Sequence, residues 1–215
     1  MMNSVSDFGR DGYILLRSLL KEPALSLSYG YARKVAAVGA MQEDDMVEGA
    51  QCLYGDVAME GLLVEVLPDV ERHSGLRLFP TYSYLRMYTG GTSLQKHTDR
   101  PSCEISLTLC LGFEAAAPWP ICIESPRGTV SISLAGGDAL LYRGIECPHW
   151  REPLDGSHVV QVFLHYVDQN GPYAKWKFDK RPSLTRFSSP VSLAQPYLHS
   201  YHQPPSPNEP HLTRL

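Results

Sequence analysis

Three side chains in two short segments have the types and the spacing of a metal site. His97 and Asp99 lie two residues apart in LQKHTDRPS, and residues two apart in an extended segment face the same side. His149 ends a later segment, GDALLYRGIECPH, where a strand is expected to end in a turn. Two imidazoles and one carboxylate hold Fe(II) on one face and leave adjacent positions free for a 2-oxo acid and dioxygen. We therefore predict a metal centre at His97, Asp99 and His149.

Zinc can bind to the same three ligands. A zinc hydrolase also needs a general base, which the glutamate of an H-E-x-x-H helix supplies in metalloproteases. No such glutamate accompanies His97 in LQKHTDRPS. Iron is therefore the favoured metal, with zinc as the alternative.

The segments around these residues are predicted to be strands. From Arg77 onward LRLFPTYSYLRMY is rich in aromatic residues, and CEISLTLCL alternates almost strictly. WPICIE, GTVSISL, DALLYR and VVQVFLHYV are further short runs separated by Gly, Pro and Asp. A series of short strands such as this predicts a β-sandwich or barrel, and the helices expected before it would cover one side.

The N-terminal part of the chain is predicted to contain these helices. A short strand is expected at Tyr13 to Leu16, a helix from about Pro23 to Ala40, and a polar loop over Gln42 to Cys52. A second helix is expected over Asp56 to Glu71, with an interruption at Pro68 because proline has no N–H to donate. The predicted apolar face of the first helix consists of Leu25, Leu27, Ala32, Val35 and Ala36.

Composition narrows the class of protein. A chain of 215 residues with 43% hydrophobic residues can bury one sizeable core. We predict one domain over 1–185 and an irregular tail rich in Pro, Ser and His over 186–215. The net charge of −4, without a basic stripe, argues against nucleic acid as a partner.

The chain also lacks the features of exported and membrane proteins. No uninterrupted apolar run approaches the length of a membrane span, and the N-terminus MMNSVSDFGRDGY does not resemble a signal peptide. Five cysteines without a C-x-x-C pair indicate neither a disulfide framework nor a zinc knuckle. These features favour a cytoplasmic protein.

Between Asp7 and Val167 the chain resembles the 2-oxoglutarate/Fe(II)-dependent dioxygenases of the prolyl-4-hydroxylase-like group. The motifs that carry this resemblance are YTGGTSLQKHTD, GDALLYRGIECPHW with the strand after it, and more weakly the N-terminal FGRDGY. The resemblance implies a mainly β fold of the α+β class, with a double-stranded β-helix (jelly-roll) core backed by N-terminal helices. It also implies that Fe(II), bound by His97, Asp99 and His149, acts with 2-oxoglutarate and O2.

The resemblance further implies a residue that binds the far carboxylate of 2-oxoglutarate. The family has Arg or Lys in the strand after the distal histidine, whereas this chain has His158 in HWREPLDGSHVVQV. Either His158 replaces it, or Arg151 or Arg143 reaches in, or the cosubstrate is a different 2-oxo acid. Tyr88 precedes the loop where the family often has a tyrosine on the cosubstrate.

The expected reaction is hydroxylation of a C–H bond, with release of succinate and CO2. Related halogenases have a small residue at the position of Asp99, so the carboxylate here favours hydroxylation. Arg100 and Trp150 lie next to predicted ligands and are candidates for substrate binding, Arg100 by pairing with an acidic group such as an amino-acid carboxylate.

A small molecule, such as an amino acid or a natural-product precursor, is the favoured substrate because the chain is compact. The alternatives are a hydroxylase of prolyl or other protein residues, and a metal-binding barrel without catalysis. The missing Arg or Lys is the feature that favours the second alternative.

Overall fold

The computed structural model describes residues 4–184, where two antiparallel sheets lie beside four helices. The predicted tail at 186–215 lies outside the described residues. The helices are α1 (Ser4–Asp11), α2 (Ala24–Ala37), α3 (Val57–Glu65) and α4 (Leu67–Ser74). Two 3₁₀ segments occupy Pro101–Cys103 and Ala174–Lys180. The strands are β1 (Tyr13–Leu16), β2 (Gln42–Glu43), β3 (Gln51–Tyr54), β4 (Leu78–Thr89), β5 (Leu94–His97), β6 (Ile105–Glu114), β7 (Ile121–Ser125), β8 (Gly128–Ile132), β9 (Ala139–Arg143), β10 (His149–Arg151) and β11 (His158–Asp168).

The strands divide into a larger and a smaller sheet. The larger sheet has the order β1-β9-β6-β11-β4-β3-β2, and the smaller sheet has the order β5-β10-β7-β8. Every pairing between neighbouring strands in the described part is antiparallel. The prediction of a mainly β fold with helices before the strands is confirmed.

Strand β11 shows how the larger sheet separates two layers of core. Val162 and Leu164 pack in the cluster that includes Phe8 and Leu63 on the helical side. Phe163, between them in sequence, packs with residues on the other side of the sheet. Successive side chains of a strand point to opposite faces, so one strand serves the helix-covered core and the interior between the sheets.

The helices cover the face of the larger sheet on which Val162 and Leu164 lie. Helix α3 begins at the Asp56 cap, whose carboxylate accepts a hydrogen bond from the Met59 N–H at 3.1 Å. The predicted interruption at Pro68 is confirmed, because Pro68 lies in the first turn of α4, where its missing N–H costs nothing. Leu27 was predicted on the apolar face of α2 but is 69% exposed, since two residues from Leu25 is the opposite side of a helix.

Two parts of the N-terminal prediction are wrong. Helix α1 was not predicted, and the expected loop at 42–52 contains β2 and the first part of β3. Strand β3 pairs with β4, with Gln51 opposite Met87, and extends the edge of the larger sheet. These strands are too short to show a periodic pattern, and their backbone groups are satisfied by a distant segment.

Among residues 4–184 no helix combines the length and the apolar character that crossing a membrane requires.

Leu164→Ala is expected to lower the free energy of unfolding by about 2–5 kcal/mol, because Leu164 is fully buried under the helices. Leu27→Ala is the matched control and should change it by less than about 0.5 kcal/mol, because that leucine is exposed. Urea denaturation of both variants measures the difference. Equal effects would contradict the orientation of β11.

Candidate metal centre and its cavity

The pairing of β5 with β10 brings His97 directly opposite His149. Their ring centroids are 4.4 Å apart. Asp99 follows β5, and its backbone N–H donates to the Gly144 carbonyl at 2.9 Å. Each histidine Nε2 lies 3.7 Å from Asp99 Oδ1. The three residues predicted from the sequence as ligands therefore present their donor atoms to one point.

Backbone carbonyls orient both imidazoles. His97 Nδ1 lies 2.7 Å from the Gln95 carbonyl oxygen, and His149 Nδ1 lies 3.0 Å from that of Cys147. A carbonyl oxygen can only accept, so each Nδ1 carries the hydrogen and each Nε2 keeps its lone pair when the ring is neutral. Burial lowers the pKa of His149, which favours the neutral ring. Both rings are thus prepared to bind a cation through Nε2.

The second oxygen of Asp99 is held by Ser106. The Ser106 hydroxyl donates to Asp99 Oδ2 at 2.8 Å. The two histidines contact the other oxygen of this carboxylate, Oδ1. Gly144 passes close to this carboxylate, and a Cβ at that position would collide with Asp99 Oδ2, Ser106 Oγ and the Cys103 carbonyl. Outer contacts of this kind fix a carboxylate ligand in position.

A second group of potential donors adjoins the first and shares Asp99. It consists of Asp99, Cys103 and His165. Burial raises the pKa of the Cys103 thiol to about 12 and lowers the pKa of His165 to about 4. The thiol therefore remains protonated, and it lies 3.0 Å from the Tyr82 hydroxyl. Since a metal binds thiolate and not thiol, the His97, Asp99 and His149 group is the better metal site.

A cavity of about 430 Å³ lies next to this point. It is within the roughly 300–1,000 Å³ typical of small-molecule sites. Aromatic rings form much of its wall, and two arginines reach it, Arg86 from β4 and Arg100 from the segment after Asp99. Besides those of His97 and His149, the rings that line it are Tyr54, Tyr82, Tyr84, Tyr142, Phe163 and His165.

Both arginines already have a carboxylate partner. Arg86 Nε donates to Asp44 Oδ2 at 2.6 Å, and both side chains are buried. Arg100 forms a bidentate pair with Asp179 at 3.0 and 2.8 Å. Asp179 comes from the 3₁₀ segment Ala174–Lys180 and is exposed to only 10%. The expected substrate-binding residue Arg100 thus lines the cavity, but with its charge compensated.

Arg151 is different, because its buried guanidinium lacks a carboxylate partner among the described residues. It is 1% exposed, and its Nη1 donates to the Trp119 carbonyl at 2.7 Å. Its Nε and Nη2 have no hydrogen-bond partner in the described part of the chain. Burial lowers the pKa of Arg151, and the groups that oppose this shift are the hydroxyls and thiols around it, such as Tyr88 and Cys110. An anion would satisfy the free donors.

The amide of Gln161 is a second buried donor without a partner in the described residues. Its oxygen accepts from Thr108 at 3.2 Å, while its Nε2 remains unpaired. Both Gln161 and Arg151 interact with Cys110, so they lie in the same part of the interior. Sequence reasoning missed Gln161, although a glutamine within the apolar run VVQVFL was the available signal.

The structure does not bring His158 to this region. His158 Nε2 lies 2.8 Å from the Tyr29 hydroxyl of α2, on the helical side of β11. Tyr88 is fully buried near Arg151; its hydroxyl accepts from Arg86 at 3.0 Å, and its ring meets Trp119 edge to face at 4.8 Å.

The other two candidates also point away from the cavity. Trp150 faces outward, whereas its neighbours His149 and Arg151 face inward. Its Nε1 donates to Glu152 at 3.0 Å. Arg143 lies over the Phe8 ring and pairs with Glu146.

Comparison with known proteins supports the fold. No family model and no curated protein matches the chain. Among solved structures, the prolyl-4-hydroxylase of Pseudomonas putida matches with a TM-score of 0.64 and 16% identity, over 77% of this chain and 97% of that chain. The chain has the fold of the 2-oxoglutarate/Fe(II)-dependent oxygenases. The family resemblance inferred from its motifs is thereby confirmed at the level of fold.

Two further structures show the range of ligands found on this fold. The prolyl hydroxylase of Trichoplax adhaerens, in complex with a peptide fragment of the oxygen degradation domain of hypoxia inducible factor, has a TM-score of 0.65 and 15% identity, over 78% of this chain and 88% of that chain. The epimerase SnoN, in complex with Fe3+, alpha ketoglutarate and nogalamycin RO, has a TM-score of 0.65 and 12% identity, over 83% and 88%. One holds a peptide and the other a small molecule.

The same substitution at Arg86 and Arg151 should have different effects on the metal-free protein. Arg86→Met is expected to lower the free energy of unfolding by about 3–5 kcal/mol, because it leaves Asp44 buried and uncompensated. Arg151→Met removes a charge that has no carboxylate partner, so it should raise this free energy or change it by less than about 1 kcal/mol. Urea denaturation tests both. A loss for Arg151→Met as large as that for Arg86→Met would show that its charge is compensated.

Proposed function

We propose that this protein is an Fe(II)- and 2-oxoglutarate-dependent dioxygenase that hydroxylates an unactivated C–H bond of a small molecule and releases succinate and CO2. We also propose that its two sheets form a double-stranded β-helix. The observation that carries the proposal is the convergence of His97 Nε2, His149 Nε2 and Asp99 Oδ1 beside a cavity, on the fold of this family.

The three donors fit ferrous iron. Two neutral imidazoles and one carboxylate form a facial set that leaves adjacent positions free. The hydrogen bonds to the Gln95 and Cys147 carbonyls hold the rings, and Ser106 holds the carboxylate. Iron in this position would supply the redox chemistry that couples decarboxylation of 2-oxoglutarate by dioxygen to hydroxylation of the substrate. Asp99 keeps a carboxylate at the third ligand position, which favours hydroxylation over halogenation.

Arg151 is the proposed anchor for the far carboxylate of 2-oxoglutarate. Its free Nε and Nη2 can donate to one carboxylate, and the Gln161 amide offers a third donor nearby. Arg151 lies two residues after His149 on the same face of β10, so the anchor and the metal ligand share one strand. Tyr88, buried beside Arg151, is proposed to complete the site.

His158 is less suitable as the anchor, because it contacts Tyr29 on the other face of β11. The chain lacks Arg or Lys in the strand after His149, but Arg151 can take over the binding of the cosubstrate. The missing residue is therefore no argument for a metal-binding barrel without catalysis. A buried cation with free donors is costly unless an anion binds to it, and this favours a catalytic protein over a purely structural metal barrel.

The walls of the cavity favour a small molecule over a protein substrate. Its volume of about 430 Å³ suits a compact ligand. The ion pair of Arg100 with Asp179 ties the segment Ala174–Lys180 to the residue next to Asp99, which narrows the approach for an extended peptide.

Arg151→Gln is expected to weaken binding of 2-oxoglutarate by about 10- to 100-fold, since a hydrogen bond to a charged group is worth about 1.5–3 kcal/mol. His158→Ala is the control and should leave the affinity unchanged. Anaerobic calorimetric titration of 2-oxoglutarate into the Fe(II)-loaded variants measures both. No detectable binding to the wild type would contradict the proposed function, and a loss confined to His158→Ala would move the anchor to that residue.

Gly144→Ala is expected to lower the affinity for Mn(II), used as a redox-stable substitute for Fe(II), by about 10- to 100-fold, because the added methyl group displaces the Asp99 carboxylate. Gly30→Ala adds the same methyl group where α2 has open space and should not change metal binding. Titration followed by electron paramagnetic resonance of free Mn(II) provides the measurement. Equal affinities in the two variants would contradict a metal site at Asp99.

A further inference from the structure

The charged groups of the outer cavity neutralise one another. Among the described residues that line it, the cations other than imidazoles are Arg86 and Arg100. Asp44 compensates Arg86 at 2.6 Å, and Asp179 compensates Arg100 through two hydrogen bonds. Outside the proposed metal ligands, the described wall therefore presents no uncompensated charge.

Three of the four tyrosine hydroxyls of the wall have partners outside the proposed metal ligands, and the fourth, that of Tyr142, lies 3.4 Å from His149 Nε2. Tyr54 donates to Asp179 at 2.7 Å, and Tyr84 donates to Asp44 at 2.9 Å. The Tyr82 hydroxyl lies 3.0 Å from Cys103 Sγ. These bonds occupy the polar ends of the three tyrosines, so their contribution to the wall is mainly aromatic carbon.

The rings form a continuous series from the exposed rim inward. Tyr54, 44% exposed, stacks on Tyr82 with centroids 4.9 Å apart. Tyr82 contacts His165 at 4.6 Å, and His165 is nearly parallel to the ring of Phe163 at 6.5 Å. Arg86 lies over the Phe163 ring at the end of this series. The surface is largely apolar and polarisable.

We propose that the cavity accepts an uncharged substrate with a planar, largely apolar body such as an aromatic ring. This inference rests on the proposed function and narrows its substrate class. It excludes free amino acids and simple carboxylic acids as substrates. The role of Arg100 is then to stabilise the rim of the cavity, and not to bind a carboxylate of the substrate.

The physical basis is the cost of desolvation. A carboxylate or ammonium group that enters this wall leaves water without gaining a counter-charge, because Arg86 and Arg100 are already paired. A neutral ring loses little hydration and gains van der Waals contacts with the aromatic side chains that line the cavity.

Matched pairs of ligands that differ only in charge test this inference. The probes are indole-3-acetamide against indole-3-acetate, and phenylacetamide against phenylacetate. They are titrated into the full chain loaded with Zn(II), which is redox-inert, and 2-oxoglutarate. The reporter is the ¹³C-methyl signal of Met46, which lines the rim of the cavity and is assigned through Met46→Leu. Each amide is expected to bind at least about tenfold more tightly than its acid.

Asp179→Asn provides an internal test, because it removes the counter-charge of Arg100 without touching the proposed metal ligands. The acids should then gain affinity and the preference for amides should narrow. Asp69→Asn removes the same charge from α4 and should leave the preference unchanged.

Acids that bind as tightly as amides to the wild type would overturn the inference, and so would a Met46 signal that no ring-bearing probe perturbs. An unchanged preference in Asp179→Asn would show that Arg100 does not govern the charge of the wall. Failure of the proposed function is separate, since it would appear as absent 2-oxoglutarate turnover by the Fe(II) form, whatever the ring preference.

Discussion

The antiparallel pairing of β5 with β10 brings the proposed metal ligands together beside the cavity. It places His97 opposite His149, and Asp99 follows at the end of β5. Because side chains alternate along a strand, the same pairing directs Arg151 inward and Trp150 outward. If the register of β10 shifted by one residue, its two faces would be exchanged. His149 and Arg151 would then both point away from the site. Hydrophobic packing on both faces of the larger sheet stabilises the structure in which this pairing forms.

Arg86, Arg100 and Arg151 have different roles because they have different partners. Arg86 and Arg100 are each bound to a carboxylate from a distant segment, and their pairs close the wall with no net charge. Arg151 has no carboxylate partner among the described residues, and two of its donor atoms are unpaired there. Under the proposed function, Arg151 binds the anionic cosubstrate and the charge-compensated wall binds an uncharged substrate.

Sequence reasoning predicted the parts that depend on local pattern. The strands β4 to β9 and β11, the break at Pro68 and the pairing of His97 with Asp99 follow from alternation, from proline chemistry and from residue spacing. Strand β10, which carries His149, was not predicted, because its three residues show no periodic pattern. The placement of His158 did not follow, because contacts with distant helices decide which face of β11 they cover, and alternation puts His158 on that face with Val160 and Val162. The partners Asp44 and Asp179 are contacts between distant segments, and no local pattern reveals them.

The most direct test of this account is a crystal structure of the full chain grown anaerobically with Mn(II) and 2-oxoglutarate, with anomalous diffraction used to locate the metal. The account predicts one Mn(II) bound by His97 Nε2, His149 Nε2 and Asp99 Oδ1, with the far carboxylate of 2-oxoglutarate on the guanidinium of Arg151. Metal bound instead by Cys103 and His165, or a far carboxylate placed on Arg86 or His158, would contradict it.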